Sequence, residues 1–135
     1  IWQGGNYLAV GPSAHGRLAV QAAADAAGTL ALHQVEEPSA WLKQVEETGS
    51  GLNAPDLLSA IERRDELVLM GLRLAAGLER ERFRHLTGRN PEDVLNPEAL
   101  DRLTAEGYLV CDAAGVRVTS KGRPCLDHLS ATLLC

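Results

Sequence analysis

The side chains that could do chemistry are few and stand apart along the chain. The three cysteines are widely spaced, without a Cys-x-x-Cys pair. We therefore predict reduced thiols, and neither a zinc site nor a Ser/His/Asp arrangement. These residues are Cys111, Cys125 and Cys135, and His15, His33, His85 and His128.

Composition predicts one ordinary soluble domain, or a small domain with an appended piece. The chain has 135 residues, of which 45% are hydrophobic and 23% are charged. Its 18 acidic residues outnumber the 13 basic ones, giving a net charge of -5. Such a charge gives no general attraction to nucleic acid or to an anionic membrane.

The first residues do not have the pattern of a signal peptide. They lack the basic and apolar regions of a signal peptide, and no apolar run approaches the ~20 residues of a membrane span. The first residues are Ile1 and Trp2, without an initiator Met, so we expect the chain to be part of a longer protein. We predict a cytoplasmic location and no membrane span.

Residues 1–35 predict strands. The apolar run at 7–10, closed by Gly11 and Pro12, is typical of a buried strand followed by a loop at 13–16. Residues 17–20 and 30–35 are further strand candidates, too few for a sheet with both faces covered. We expect these strands to belong to a sheet whose remainder lies outside the chain.

Helices dominate the rest of the pattern. Residues 38–45 predict a short helix ended by a glycine, and 46–54 a linker. Ala54-Pro55-Asp56 predicts the start of a long helix with apolar residues at helical spacing as far as Leu74. Within it, Gly71 would admit a close neighbour.

The last 40 residues predict a helix, a hairpin and a closing helix. Asn96-Pro97-Glu98 predicts a helix that starts with an N-cap and ends at Gly107. Turn residues at 112–115 separate two short apolar runs, which predicts a β-hairpin, and a final helix runs from about Ser120. This order predicts an α+β, mainly helical fold with a winged-helix-like hairpin.

One stretch carries a family resemblance. The sequence from Trp2-x-Gly4-Gly5 through residues 6–17, ending Gly-Pro-Ser-Ala-His-Gly-Arg, resembles the end of the radical-SAM core in heme chaperones related to oxygen-independent coproporphyrinogen III oxidase. The likeness continues through Pro38-x-x-Trp41-Leu42, residues 62–78 and the hairpin to Leu126-Asp127, and so covers essentially the whole chain. It implies the terminal strands of a partial TIM-type barrel at 1–35, a short helix and linker at 36–54, and a helical, winged domain at 55–135.

The resemblance also implies one binding site, made by Gly11, Ala14 and His15. In the family this loop lies where SAM and substrate meet, and here Ser13 and Asn6 depart slightly from the usual residues. Gly11 permits close backbone approach, Ala14 leaves room for a flat ligand, and His15 could ligate heme iron or exchange protons. A purely structural role for the loop, with His15 satisfying buried backbone, remains open.

Cofactors and partners follow from the same resemblance. The family holds a [4Fe-4S] cluster through a Cys-x-x-x-Cys-x-x-Cys motif that this chain lacks, so we expect the cluster, S-adenosylmethionine and heme only in the full-length protein. By itself the chain is not expected to be an active enzyme. Expected partners are the rest of the barrel, a tetrapyrrole and a heme-acceptor protein.

Three functions stay open at this point. The loop sequence Gly-Pro-Ser-Ala-His-Gly-Arg resembles heme chaperones more than enzymes that oxidatively decarboxylate coproporphyrinogen III. The third, a winged-helix DNA-binding module, is disfavoured because the helix that would enter the groove carries Glu98, Asp101 and Glu106 against Arg102 alone. Arginines at 63–64 and 80–84 interleave with acids, which is typical of a solvated helix face.

Overall fold

The computed structural model describes residues 2–21 and 27–135. These residues form two compact units, Gly5–Arg63 on the one hand, and Arg64–Cys135 with Trp2–Gly4 on the other. Helices and two antiparallel sheets are both present, which confirms the α+β class. Ile1 and residues 22–26 of the predicted segment 1–35 lie outside the described residues.

A three-stranded antiparallel sheet forms the base of the Gly5–Arg63 unit. Strand β1 (His15–Gln21) pairs with β2 (Ala27–His33), which pairs on its other side with β3 (Asp56–Leu58). The predicted strands at 17–20 and 30–35 are confirmed, with the second ending at His33. The sheet therefore takes its third strand from beyond residues 1–35. That further strands from outside the chain join it stays a prediction.

The predicted buried strand at 7–10 is wrong. Tyr7 makes only an isolated bridge with Arg17, while the Leu8 and Val10 side chains are 72% and 85% exposed. Side chains replace the backbone ladder on both sides of Tyr7: Asn6 accepts a 2.8 Å hydrogen bond from the backbone N–H of Ala19, and the Gln34 side chain donates to the carbonyl of Ala9 at 3.4 Å. The predicted loop is also shorter, since β1 begins at His15.

Helix α1 (Pro38–Thr48) confirms the short helix and extends it three residues into the predicted linker. The Glu37 carboxylate caps it, accepting hydrogen bonds from the backbone N–H of Ser39 at 3.0 Å and of Ala40 at 2.6 Å. Hydrogen bonds from the Ser39 side chain and then from these backbone groups lower the pKa of Glu37. Gly49, with φ 79°, ends the helix.

The long helix starts later than predicted, because residues 56–58 form β3. Helix α2 (Ala60–Gly71) begins after Ser59, whose hydroxyl accepts from Glu62 N at 3.2 Å while the Glu62 carboxylate accepts from Ser59 N at 2.9 Å. This reciprocal cap fixes the start of the helix. The segment before it is free to continue the sheet, opposite β2.

The Arg64–Cys135 unit contains the predicted hairpin and its flanking helices. Strand β4 (Leu78–Glu79) leads into α3 (Arg80–Thr87), and α4 (Pro97–Ala105) precedes strands β5 (Leu109–Asp112) and β6 (Gly115–Val118). The sheet order is β4–β6–β5, all antiparallel. Asn96 caps α4 as predicted, accepting from Ala99 N at 2.9 Å.

The closing helix, α5 (Leu126–Leu134), starts six residues after the predicted Ser120. Residues 119–125 instead form turns, in which the carbonyl of Thr119 accepts from the backbone N–H groups of Gly122 and Arg123. The Arg123 guanidinium also donates to the carbonyls of Leu72, Arg73 and Leu74 just past the end of α2. These bonds hold the segment out of the helix.

One apolar core fills the Arg64–Cys135 unit. Gly71 admits the Leu78 side chain against α2, which confirms the expected close neighbour. Every helix and strand of the unit contributes a buried hydrophobic residue. The core residues are Leu67, Val68, Leu72, Leu78, Phe83, Leu95, Ala99, Leu100, Leu103, Leu109, Val116, Val118, Leu129 and Leu133.

Gly115 offers a sharp test of this packing. It has φ 139° and its hydrogens face the Leu78 carbonyl oxygen, so the methyl of Gly115→Ala would overlap β4. We expect a loss of more than about 3 kcal/mol in the free energy of unfolding, measured by urea denaturation. The control is Gly88→Ala, also at positive φ but in open space, where about 1 kcal/mol is expected. Equal losses would contradict this packing.

Candidate functional site

The loop that carries the predicted site is a tight turn pinned to the sheet. Gly11 has φ 113° and Ser13 φ 58°, and the N–H of Ala14 donates to the carbonyl of Gly11 at 3.1 Å. Ser13 N donates to Val35 O at 3.0 Å, and Gln34 N donates to Ala14 O at 2.9 Å. Gly11 is thus required for its backbone conformation, and the turn delivers the chain directly into β1.

The structure brings the three predicted residues together. Gly11 and Ala14 close the turn, and His15 is the first residue of β1, with an exposed side chain. Position 14 is only partly exposed, since its backbone is paired with Gln34. The arrangement offers one accessible imidazole beside a small residue and an open turn. No finding tests its binding role, which stays a prediction.

The register adds a second histidine that the sequence did not single out. His15 pairs with His33 across β1 and β2, with ring centroids 4.5 Å apart and ring planes 81° to each other. The two residues are 18 positions apart in the chain, with no spacing signal between them. Only the strand pairing could have identified His33.

Further polar residues share this side of the sheet. Residues directly opposite in an antiparallel pair point to the same face, and alternate residues of a strand do so too. Arg17 lies opposite Tyr7 on one side and Ala31 on the other, and Ala31 lies opposite Asp56. We call the set of Tyr7, His15, Arg17, His33 and Asp56 the histidine face.

The histidine face combines groups of different chemistry. It carries two imidazoles, a guanidinium that donates to the Gly16 carbonyl at 2.7 Å, a phenol and a carboxylate. The opposite face of the same sheet is apolar, with Leu18 opposite Leu30 and Leu30 opposite Leu57. One side of the sheet is therefore suited to a polar or charged ligand, and the other to packing.

A second polar cluster lies in the other unit, around Arg80. Its guanidinium makes a two-pronged ion pair with the Glu92 carboxylate and donates to the carbonyls of Asp112 at 2.8 Å and Ala113 at 3.2 Å. The Cys111 thiol donates to the same carboxylate at 3.5 Å. The predicted solvated face is therefore wrong for Arg80, because the tip of the hairpin folds over it.

Electrostatics explain what this cluster does. Burial of Glu92 favours its neutral form, but hydrogen bonds from Arg80, its own backbone and Cys111 outweigh burial and lower its pKa. A lowered pKa means that the stabilisation is present above the ordinary carboxyl pKa and is lost as the pH falls through the lowered value. Burial and the bond to Glu92 raise the pKa of Cys111. The cluster holds the hairpin and keeps the thiol protonated.

Both described ranges lack a three-ligand metal site and a helix able to span a membrane. Residues 2–21 and 27–135 contain no group of three or more His, Cys, Asp or Glu side chains arranged to hold a metal ion. The cysteines of that same part of the chain, Cys111, Cys125 and Cys135, are all free thiols. Among its helices, none combines the length and apolar character needed to cross a bilayer.

Known proteins resemble the chain along its whole length. A family model described as the HemN C-terminal domain matches residues 58–125. Radical S-adenosyl methionine domain-containing protein 1, mitochondrial, from Mus musculus is 33% identical over 138 residues, which cover 98% of this chain and 30% of that protein. The protein of the same name from Danio rerio is 30% identical over 135 residues, with the same coverage.

A solved structure shares the fold. The structure of coproporphyrinogen III oxidase (HemN) from Escherichia coli, a radical SAM enzyme, matches with a TM-score of 0.57 and 18% identity, over 78% of this chain and 26% of that one. The chain thus spans about 30% of the length of the curated relatives it matches. Their names place those relatives in mitochondria, and the cytoplasmic location of this chain stays a prediction.

The Cys111 environment predicts an order of thiol reactivity. Because the thiolate is the reactive form, a partly buried thiol beside a carboxylate should react slowly. We expect Cys111 to react with a thiol reagent at least about tenfold more slowly than the exposed Cys125, measured in variants that keep one cysteine each. Glu92→Gln removes the negative charge that disfavours the Cys111 thiolate, so it should raise the reaction rate of Cys111 and leave that of Cys125 unchanged. Equal rates for Cys111 and Cys125 would contradict the assignment.

Proposed function

The chain belongs to the HemN C-terminal domain family found in radical SAM proteins, and from this premise we propose that it is the C-terminal part of a protein that holds heme for transfer. The observation that carries the proposal is the turn at 11–14, which presents the exposed His15 at the start of β1. An exposed imidazole can serve as an axial ligand of heme iron. Gly11 and Ala14 leave the approach to it open.

Arg17 supports a tetrapyrrole as the ligand. It follows His15 by two residues and so lies on the same face of β1. Tetrapyrroles carry carboxylate side chains, which a guanidinium binds through paired hydrogen bonds. A ligand with an iron centre and peripheral carboxylates would engage both side chains at once.

The cluster and S-adenosylmethionine belong, in this proposal, to the full-length protein. Radical SAM chemistry uses a [4Fe-4S] cluster to cleave S-adenosylmethionine and produce a radical. Within residues 2–21 and 27–135 the three free cysteines lie far apart in sequence and no cluster of ligands forms, so the described residues do not fit such a group. This chain's own contribution is to bind and orient the tetrapyrrole through the histidine face.

The remaining part of the longer protein is the first partner we propose. In the Gly5–Arg63 unit, large hydrophobic side chains are strongly exposed, and such patches commonly mark packing surfaces. These residues are Leu8, Val10, Leu42, Leu57 and Ile61. The barrel that the family resemblance implies would cover them, and a heme-acceptor protein would be the second partner.

We further propose that the Arg64–Cys135 unit is a winged-helix-like module used for packing. The order α4, β5, β6 with β4 at the sheet edge supports this description. The exposed side chains of α4 and of the residue that ends it include Glu98, Asp101 and Glu106 beside Arg102. Phosphates would be repelled by this surface, so DNA binding is not favoured.

Anaerobic heme titration of the protein, followed at the Soret band, tests the proposal. We expect saturable binding that His15→Ala weakens by about tenfold or more. The matched control is His85→Ala, which removes an exposed imidazole on α3 and should leave the affinity unchanged. Equal affinities in the two variants, or turnover of coproporphyrinogen III with release of CO₂, would contradict the heme-transfer role of this site.

A further inference from the structure

The His15 and His33 side chains are held side by side by the strand register. Gln34 N donates to Ala14 O at 2.9 Å, so residues 14 and 34 form a hydrogen-bonded pair. The next pair, His15 and His33, is then of the non-hydrogen-bonded kind, in which side chains lie closest. This backbone arrangement, and not a long flexible loop, sets the 4.5 Å separation of the ring centroids.

The nitrogens of both rings are available. Within the described ranges, neither imidazole makes a hydrogen bond or an ion pair with another described residue, and their mutual contact is edge to face. The His15 side chain is exposed and the His33 side chain is half-buried, so solvent reaches the pair. Two imidazoles at one accessible point, with no hydrogen bond to another described residue, can both ligate a metal ion.

The ring separation distinguishes two kinds of coordination. With a metal–nitrogen bond of about 2.0–2.1 Å, a ring centroid lies about 3.2 Å from the metal. Two adjacent ligands of one ion then have centroids about 4.5 Å apart at right angles and about 5.2 Å apart at the tetrahedral angle that zinc prefers, whereas two ligands on opposite sides of an ion have centroids about 6.3 Å apart. The 4.5 Å observed between His15 and His33 lies at the short end of the range for adjacent ligands and well below the value for opposite ones.

We propose that His15 and His33 form a two-imidazole site for a divalent first-row transition-metal ion, of which Zn²⁺ is the simplest example. Imidazole suits zinc, nickel, copper and iron, whereas magnesium and calcium require oxygen ligands. Water fills the remaining positions, as in metal sites that keep open coordination. Asp56, on the same face one row away, contributes favourable negative charge.

This site goes beyond heme binding and shares only His15 with it. In heme, the porphyrin occupies the four equatorial positions of the iron, so adjacent imidazoles cannot both ligate it. His33 is required for the ion site and is not an axial ligand in the heme proposal. If zinc does not bind, the heme affinity measured in the Soret titration is unaffected and the heme proposal is still testable. If heme does not bind, the zinc proposal is likewise unaffected.

Zinc titration of the protein, followed by NMR of the imidazole nitrogens, tests the pair directly. We expect one Zn²⁺ to shift the signals of His15 and His33 together, while those of His85 and His128 stay unchanged. Each of His15→Phe and His33→Phe should weaken zinc binding by about tenfold or more, because one of two linked ligands is lost. Mg²⁺ should produce no shift.

The phenylalanine variants also separate a metal site from a merely structural ring pair. Each keeps an aromatic ring opposite the remaining histidine, so the cross-strand contact and the strand pairing are retained. Backbone amide shifts in β1 and β2 check that the sheet is intact. Zinc binding of unchanged affinity in either variant, shifts confined to one of the two imidazoles, or no shifts at all would overturn the proposal.

Discussion

Burial of a single apolar cluster is the constraint on which the Arg64–Cys135 unit depends. Val68, Leu72, Val116 and Leu133 are fully buried and come from two helices, the loop after α2 and the hairpin. Because protein interiors are close-packed, each such contact restricts where its element can lie. The close approach of β4 to Gly115, and of Leu78 to Gly71, follows from this crowding. The HemN C-terminal domain match, residues 58–125, covers most of the same unit.

The Gly5–Arg63 unit is organised differently, by backbone pairing. Among its described hydrophobic residues only Ala31 is buried, while Leu57 and Val10 are 59% and 85% exposed. Its order comes from the β1–β2–β3 ladder, the turn at 11–14 and the reciprocal cap at Ser59. A unit with little core of its own gains stability when its apolar surface is covered. This is the physical basis for expecting it to function within a longer protein.

The two polar clusters illustrate how similar residues serve different ends. Around Arg80, every strong group is matched by a partner, since Glu92 accepts from both the guanidinium and the Cys111 thiol. Such a satisfied network stabilises a hairpin and leaves little for a ligand. On the histidine face, by contrast, the imidazoles of His15 and His33 lie against each other and make no hydrogen bond or ion pair with another described residue. That face is the candidate site because its two imidazoles are accessible and can still bind a ligand.

Local signals in the sequence determined much of the secondary structure. The helix cap at Asn96, the turn of the hairpin and the strands at 17–20 and 30–33 depend on a few neighbouring residues, and these predictions are confirmed. The loop after Gly11 and Pro12 is also present, but it ends before His15, where β1 begins. Tertiary contacts determined the rest. Residues 56–58 form a strand because they pair with β2, and the Arg80 side chain bonds Glu92 beside the tip of the hairpin instead of lying fully exposed. His33 joined His15 only through the strand register, which is a long-range pairing that no local spacing encodes.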